Sequence, residues 1–543
     1  MIYPQYHPCN FVGLKTSDDN LKKMILLHRQ FSVVANRYLQ NAYKGWEGNV
    51  PETDFFIPKE SIDGDLPSDL KGTYLRNGPG LIKKFGQKLA HPIDGDGMVC
   101  ALTFSGDGLV HFKNKFVNTE ERTEEEDAQM FLYRGQMGSI TDEQKEKDSA
   151  AVQKAINSGS KLPKIKFRNP SNTNVWHWGD RFISTYETSM PYSLDPYTLE
   201  TIGKDTFNDT LHLKRLGAHF RIDTTDLNNH KLVTGAFARS PFKSNAALEM
   251  NQYNQDFTLA ETKTYKIDGL TYFHDFAIID GFYVVHKSPF VTMNKKEAIS
   301  ILSGKTGPEF NMKYNSELPC QFLFLPKNDV SSKPIVVDTP LPFHMYHFGT
   351  CYRSGDNVIL TATILTNDFD MSWSWKYWLS NMCKAPGKFI RFDINLKTAS
   401  CDYTELDPAS NEFPCSHPYR HGHFGTRYNY LMACDEPNQG LPFMDIVKVN
   451  MEKDSSFREV WRADGLISEC VFAPRAGYDS AHNLDEDDGW LITQYFNPDV
   501  PGVSQFLILN AKEVEAGPVC RIKLDFKLNY PFHGTFTPSV FLE

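Results

Sequence analysis

The chain has 543 residues, a net charge of −10 and no block of Lys or Arg, which excludes an electrostatically driven nucleic-acid binder. With 41% hydrophobic and 23% charged residues it is neither disordered nor fibrous, and it has material for a large core. No apolar run reaches about 18 residues, which excludes a membrane-spanning helix of the usual length.

The start, MIYPQYHPCN, reads as neither a signal peptide nor a transit peptide. The 10 cysteines are dispersed and form no CxxC pairs, as expected of reduced thiols in an intracellular, cytoplasmic protein. Residues 19–44 form the clearest amphipathic helix. Leu21, Met24, Ile25, Leu27, Phe31, Val34, Tyr38 and Leu39 recur near helical spacing, and Asp18 or Asp19 is placed to cap it. The expected organisation is therefore an N-terminal extension, 1–49, carrying this helix, and one domain over 50–543.

From about residue 50, short strand-like runs alternate with Gly, Asp and Asn turns: GTYLRNGPG, MVCALTFSGDGLVHFKNKFV, GFYVVHKSPF, DNVILTATILTND, GWLITQYFN. The pattern predicts an all-β fold, and its length favours a propeller over one sandwich. Two stretches break it. Residues 141–163 are polar and helix-prone, expected as a solvated surface insertion. Residues 371–389 hold Trp373, Trp375 and Trp378 beside Leu379, Lys376 and Lys384, a composition that suits either packing on the body or docking on a membrane surface.

Four histidines lie in or beside apolar strand-like runs: His219 in LGAHFRID, His274 in YFHDFAI, His347 in YHFGTCY and His533 in PFHGTF. A histidine among Phe, Tyr and Ile needs partners for its ring nitrogens. Taken singly, each reads as a core histidine bonded to a carbonyl. Taken together, they read as ligands of one metal. Their separations of 55, 73 and 186 residues fit no local chelate motif, so convergence requires a fold that brings distant strands to one axis. The inner strands of a propeller do so.

Several runs, in order, carry a resemblance: DLKGTYLRNGPG at 69–80, HPIDGDGMV at 91–99, NPSNTNVWHWGDRFISTYETSMPYSLDPYTLETIG at 169–203, EDDGWLITQYF at 486–496 and PFHGTF at 531–536. From about residue 50 to the C-terminus the chain resembles the carotenoid cleavage oxygenases, a family that includes stilbene-cleaving enzymes and a retinoid isomerase. The resemblance implies a seven-bladed β-propeller capped by loops and helices, with ferrous iron on the axis. It assigns the metal ligands to His219, His274, His347 and His533. It prefers His347 over His344 because Tyr352 matches a family aromatic at the same offset. It places Glu187, Glu412 and Glu469 behind three of the histidines and Thr173 near the open iron position. Phe220 after His219, and the run HFGTCYR, depart from the family pattern. The implied reaction is O2-dependent cleavage of a carbon–carbon double bond in a carotenoid or apocarotenoid, giving two carbonyl products. The aromatic content of 13% suits an apolar tunnel for such a polyene as well as sheet packing. The alternatives are a stilbenoid or phenylpropene substrate, a retinoid isomerisation, and a metal-free propeller scaffold.

Overall fold

The computed structural model describes residues 50–542 apart from interior stretches, the longest of which are 367–385, 476–484 and 435–441. The expected helix over 19–44 and the patch of Trp373, Trp375, Trp378 and Leu379 lie outside the described residues.

Seven antiparallel sheets form the blades of a β-propeller. Five contain four strands in simple up-and-down order. The other two close the ring. Gly534–Thr537, near the C-terminus, is the inner strand of blade 1 beside Gly72–Leu81. Ile62–Gly64, near the start of the described chain, is the outer strand of blade 7 beside Pro518–Lys523. Each end of the chain is thus hydrogen-bonded into a sheet built mostly from the other.

The packing follows from strand alternation. Successive side chains point to opposite faces of a strand, and each blade face meets a neighbouring blade. Tyr74 packs toward blade 7 with Ile492 and Phe506, whereas Leu75 packs toward blade 2 with Val175 and Phe182. Val233 joins the cluster shared with blade 4, and Leu232 the one shared with blade 2. Gly72–Leu81 is therefore buried at every position, as a strand covered on both faces must be. Each Leu or Phe buried this way contributes roughly 1.5–3 kcal/mol. Ion pairs also join blades: Asp223 on the inner strand of blade 3 meets Lys327 at the edge of blade 4, both almost fully buried.

Three helices lie among the described residues outside the sheets. α1 (Glu120–Ala128) and α2 (Asp142–Ser158) follow Val110–Phe116, the fourth strand of blade 1 from the axis, and α3 (Lys295–Leu302) follows the second strand of blade 4. In an up-and-down blade both connections emerge at the end where the inner strands begin, so the helices cap that face. Thr119, Thr141 and Asn294 cap their N-termini with side-chain oxygens, and Gly159, at φ 65°, ends α2 in the left-handed region. The polar stretch 141–163 is not wholly solvated. It carries α2, whose Val152 and Ala155 are buried, and Ser149 donates to the Ser303 carbonyl beside α3 (2.8 Å).

Candidate metal centre

The histidines converge. One ring nitrogen from each of His219, His274, His347 and His533 lies within 4.8 Å of the other three. Four blades supply them. His219 precedes the inner strand Phe220–Asp223, and His274 lies shortly before Ala277–Ile279. His347 is within His344–Ser354, and His533 precedes Gly534–Thr537. Three of the four thus sit where the chain enters an inner strand from the capped face.

His347 is placed by a bulge. Met345 pairs with Ile364 and Phe348 with Ala362, so one extra residue is accommodated between them and the strand is re-aimed there. His344, three residues earlier, does not reach the cluster. It is fully buried, and its Nδ1 meets the Ser288 hydroxyl at 2.8 Å. Tyr352 lies farther along the same strand and bridges to Gly422.

Carboxylates stand behind three of the rings. Glu412 Oε2 accepts from His347 Nδ1 at 2.7 Å, Glu469 Oε1 accepts from His533 Nδ1 at 2.9 Å, and Glu187 accepts from His274 Nδ1. Among the described residues His219 has no carboxylate partner. Glu469 Oε2 also accepts from the Gly534 backbone N–H (2.8 Å), fixing the start of the strand that carries His533. These bonds set the tautomer: an Nδ1–H given to a carboxylate leaves a lone pair on Nε2, aimed at the axis.

The runs that carry the resemblance form one knot around His533. Asn77, in LRNGPG, donates from its side chain to the carbonyls of Ser171 (2.9 Å) and Asn174 (3.0 Å). Its backbone N–H donates to the His533 carbonyl (2.8 Å). Asn172 donates to the carbonyls of Ile93 (2.8 Å) and Gly95 (2.7 Å) in PIDGDG. The Gly97 N–H donates to the Pro170 carbonyl (2.8 Å), so close that a Cβ at Gly97 would collide with the Ser171 carbonyl. Thr173 is buried beside the centre. Its carbonyl accepts from the His533 N–H at 3.2 Å, and its hydroxyl faces Asn172 (3.4 Å).

Three aromatic residues of the site were not singled out from sequence. Phe413, between Glu412 and Pro414, stacks on His347 with ring centroids 5.2 Å apart. It sits at φ 54°, in a bulge between Glu412 and Cys415 that turns both neighbours toward the axis. Tyr272 stacks on His274 (6.0 Å), and Tyr346 meets it edge-on (5.4 Å). Both tyrosines belong to an apolar cluster under the cap with Met137, Phe290 and Leu365. Only the NEFP and YFH runs hinted at them. Phe220 packs on Trp176 (4.9 Å) without disturbing His219.

The electrostatics test whether a cation fits. His274 Nε2 lies 3.1 Å from His219 Nε2 and 3.0 Å from His347 Nε2. With Nδ1–H committed to the carboxylates, the Nε2 atoms of His274 and His347 present facing lone pairs, an arrangement that repels unless positive charge stands between them. Burial holds the imidazoles of His219 and His347 well below the ordinary histidine range, which keeps them neutral. Burial also acts to lower His533, but Glu469, Glu187 and Glu412 outweigh it and move it up. Burial pushes Glu412 up to about 7, and burial acts on Glu187 in the same direction, but the His274 imidazole holds Glu187 below the usual carboxylate range. Carboxyl groups behind three of the four imidazoles, together with facing Nε2 lone pairs, suit a dication at the centre. Imidazole donors suit Zn, Cu, Fe or Ni.

A propeller with four imidazoles meeting on its axis is a metalloprotein architecture. The retinal pigment epithelial membrane protein family model matches residues 49–538, and the chain belongs to that family, the carotenoid cleavage oxygenases. The apocarotenoid-15,15'-oxygenase of Synechocystis sp. is 30% identical over 505 residues, covering 92% of this chain and 96% of that protein. An isoeugenol monooxygenase of Pseudomonas nitroreducens is 26% identical over 501 residues, covering 88% and 94%. The structure of cobalt-substituted Synechocystis apocarotenoid oxygenase superposes with a TM-score of 0.81 at 28% identity, covering 92% of this chain and 99% of that one. The resemblance drawn from the motifs, the propeller and its helical cap are all borne out.

Proposed function

We propose that this chain is a non-haem iron dioxygenase that cleaves a carbon–carbon double bond of a carotenoid or apocarotenoid with O2, giving two carbonyl products. The observation that carries the reading is the inward-facing set of Nε2 atoms on His219, His274, His347 and His533, with Glu187, Glu412 and Glu469 fixing three of the rings. Ferrous iron held by His219, His274, His347 and His533 would supply the chemistry that activates O2, with Thr173 close by. The chain's own residues do the rest. The carboxylates keep the Nδ1 protons of His274, His347 and His533 in place and make their Nε2 atoms better donors. Met137, Phe290 and Leu365, with the faces of Tyr272 and Tyr346, form an apolar wall on the capped side. Such a wall excludes water and orients a polyene, which offers few hydrogen-bonding handles.

Metal content of the reconstituted full chain tests the centre. One iron per chain is expected, falling below about a tenth of that in His533→Ala, because the loss of one donor also strands Glu469. Iron retained by that variant, or none in the wild type, would sink the assignment.

The similarity to an isoeugenol monooxygenase favours a second reading, a phenylpropene or stilbenoid substrate. Mass spectrometry of the products from a carotenoid, an apocarotenoid and a stilbenoid separates the two.

We further propose one catalytic domain over 50–543, a separate extension over 1–49, and peripheral membrane docking through Trp373, Trp375, Trp378 and Leu379, which suits a lipid-borne substrate. Liposome flotation should fall several-fold in the Trp373/Trp375/Trp378 triple-alanine variant. Equal flotation would remove the patch.

A further inference from the structure

A cavity of about 390 Å3 runs along the propeller axis below the four histidines. His219, His533 and Glu469 line its inner end. Gly179, Gln255 and Pro538, all exposed, line its other end. Gly179 follows the inner strand Asn174–Trp178, which begins beside His533 and runs away from the cap. The cavity therefore joins the centre to solvent on the face opposite the helices, and it has room for roughly a dozen waters at ~30 Å3 each.

The two approaches to the centre differ in chemistry. On the capped side stand Met137, Phe290, Leu365 and the rings of Tyr272 and Tyr346. An ion that sheds water against such a wall regains nothing, so its desolvation goes uncompensated. The axial side mixes apolar side chains such as Phe220, Phe348 and Phe472 with Ser416, Thr535 and Thr537, and it ends at the carboxyl group of Glu469. Arg221 is the one cationic side chain among the described residues that line it, and Asp275 pairs with it at 2.5 Å. A hydrated cation thus meets oxygen atoms along the way and a carboxyl group at the end.

We infer that the metal enters and leaves through this axial cavity, from the face opposite the cap, with Glu469 as the first anionic group it reaches. The inference rests on the reading of the four histidines as metal ligands. It assigns separate doors to the two hydrophilic and hydrophobic cargoes, ion below and substrate above.

Narrowing the cavity tests this without touching a ligand. Ser416→Phe and, independently, Ser539→Trp place a ring in the lining. Chelator-stripped full-length protein is mixed with ferrous or cobaltous salt, quenched with chelator at intervals, desalted and assayed for bound metal by plasma mass spectrometry. The reverse experiment follows metal loss from loaded protein into chelator. We expect both uptake and loss to slow at least tenfold in each variant that folds, with the same final content of one metal per chain. Wild-type rates in a folded Ser416→Phe or Ser539→Trp chain would overturn the route while leaving the centre intact. A wild-type chain that takes up no metal would remove the underlying reading and the route with it.

Discussion

At the scale of single residues, the pair His344 and His347 shows how little separates a ligand from a core histidine. Both are buried, both lie on one strand, and both touch Tyr346. One bulge sends His347 to the axis and leaves His344 on Ser288. His347→Ala should therefore lose more than about tenfold in metal affinity, whereas His344→Ala should hold metal normally and lose about 0.5–1.5 kcal/mol of stability with its hydrogen bond to Ser288, whose hydroxyl keeps His286. Metal content and a denaturant titration on the two proteins check this, and the opposite ranking would exchange their roles. The resemblance named the four histidines and three carboxylates residue by residue, and the structure brings them together. Residue type alone left each histidine open between core and metal. Phe413 was not legible. Its left-handed backbone arises from a bulge defined by hydrogen bonds to Tyr430 and Met432, on the next strand, and nothing local in NEFP specifies it.

At the scale of elements, alternation along strands was easy to read, but the partner of each face was not. Tyr74 and Leu75 are adjacent aromatic and aliphatic residues, and their sequence does not say that one serves blade 7 and the other blade 2. The same limit applied to 141–163. Its composition predicted helix correctly, while the burial of Val152 and Ala155 depends on what lies beneath. Polar cross-links between blades carry a pH signature. Burial alone would raise the Asp223 carboxyl, but Lys327 overrides burial and holds it below its ordinary range. A carboxylate depressed in the folded state stabilises fully above its unfolded pKa, and the contribution is lost as pH falls through the depressed folded value. Stability should thus decline on the acid side, and Asp223→Asn should flatten that decline. The variant should also lose about 3–5 kcal/mol at neutral pH by leaving Lys327 buried and unpaired. Denaturant titrations across the acid range measure both, and an unchanged acid limb would remove this pair as a contributor.

At the scale of the whole molecule, the ring exists because its two ends cross over, Gly534–Thr537 into blade 1 and Ile62–Gly64 into blade 7. Removing residues 534–543 should strip blade 1 of its inner strand and lower the melting temperature by at least about 10 °C, since it exposes Leu75 and the edge of Gly72–Leu81. A truncated chain with wild-type melting would show that the closure is dispensable. The all-β class was legible from the recurrent turns, and length pointed to a propeller. The axial cavity was invisible in the sequence, because its wall is assembled from blades 1, 2, 3, 5, 6 and 7.

The closing strand has a bearing on synthesis as well as stability. Its first neighbour is His533, ten residues from the C-terminus. A nascent chain that has passed His347 carries three of the four imidazoles and the side-chain bonds of Asn77 and Asn172, yet it lacks the last imidazole and the two backbone bonds, to Asn77 and Thr173, that anchor it. The set of four cannot close before His533 has been made, and a product terminated earlier keeps an open set of three. Closure of the ring and completion of the histidine set are one event, so that four imidazoles brought together certify a closed blade 1.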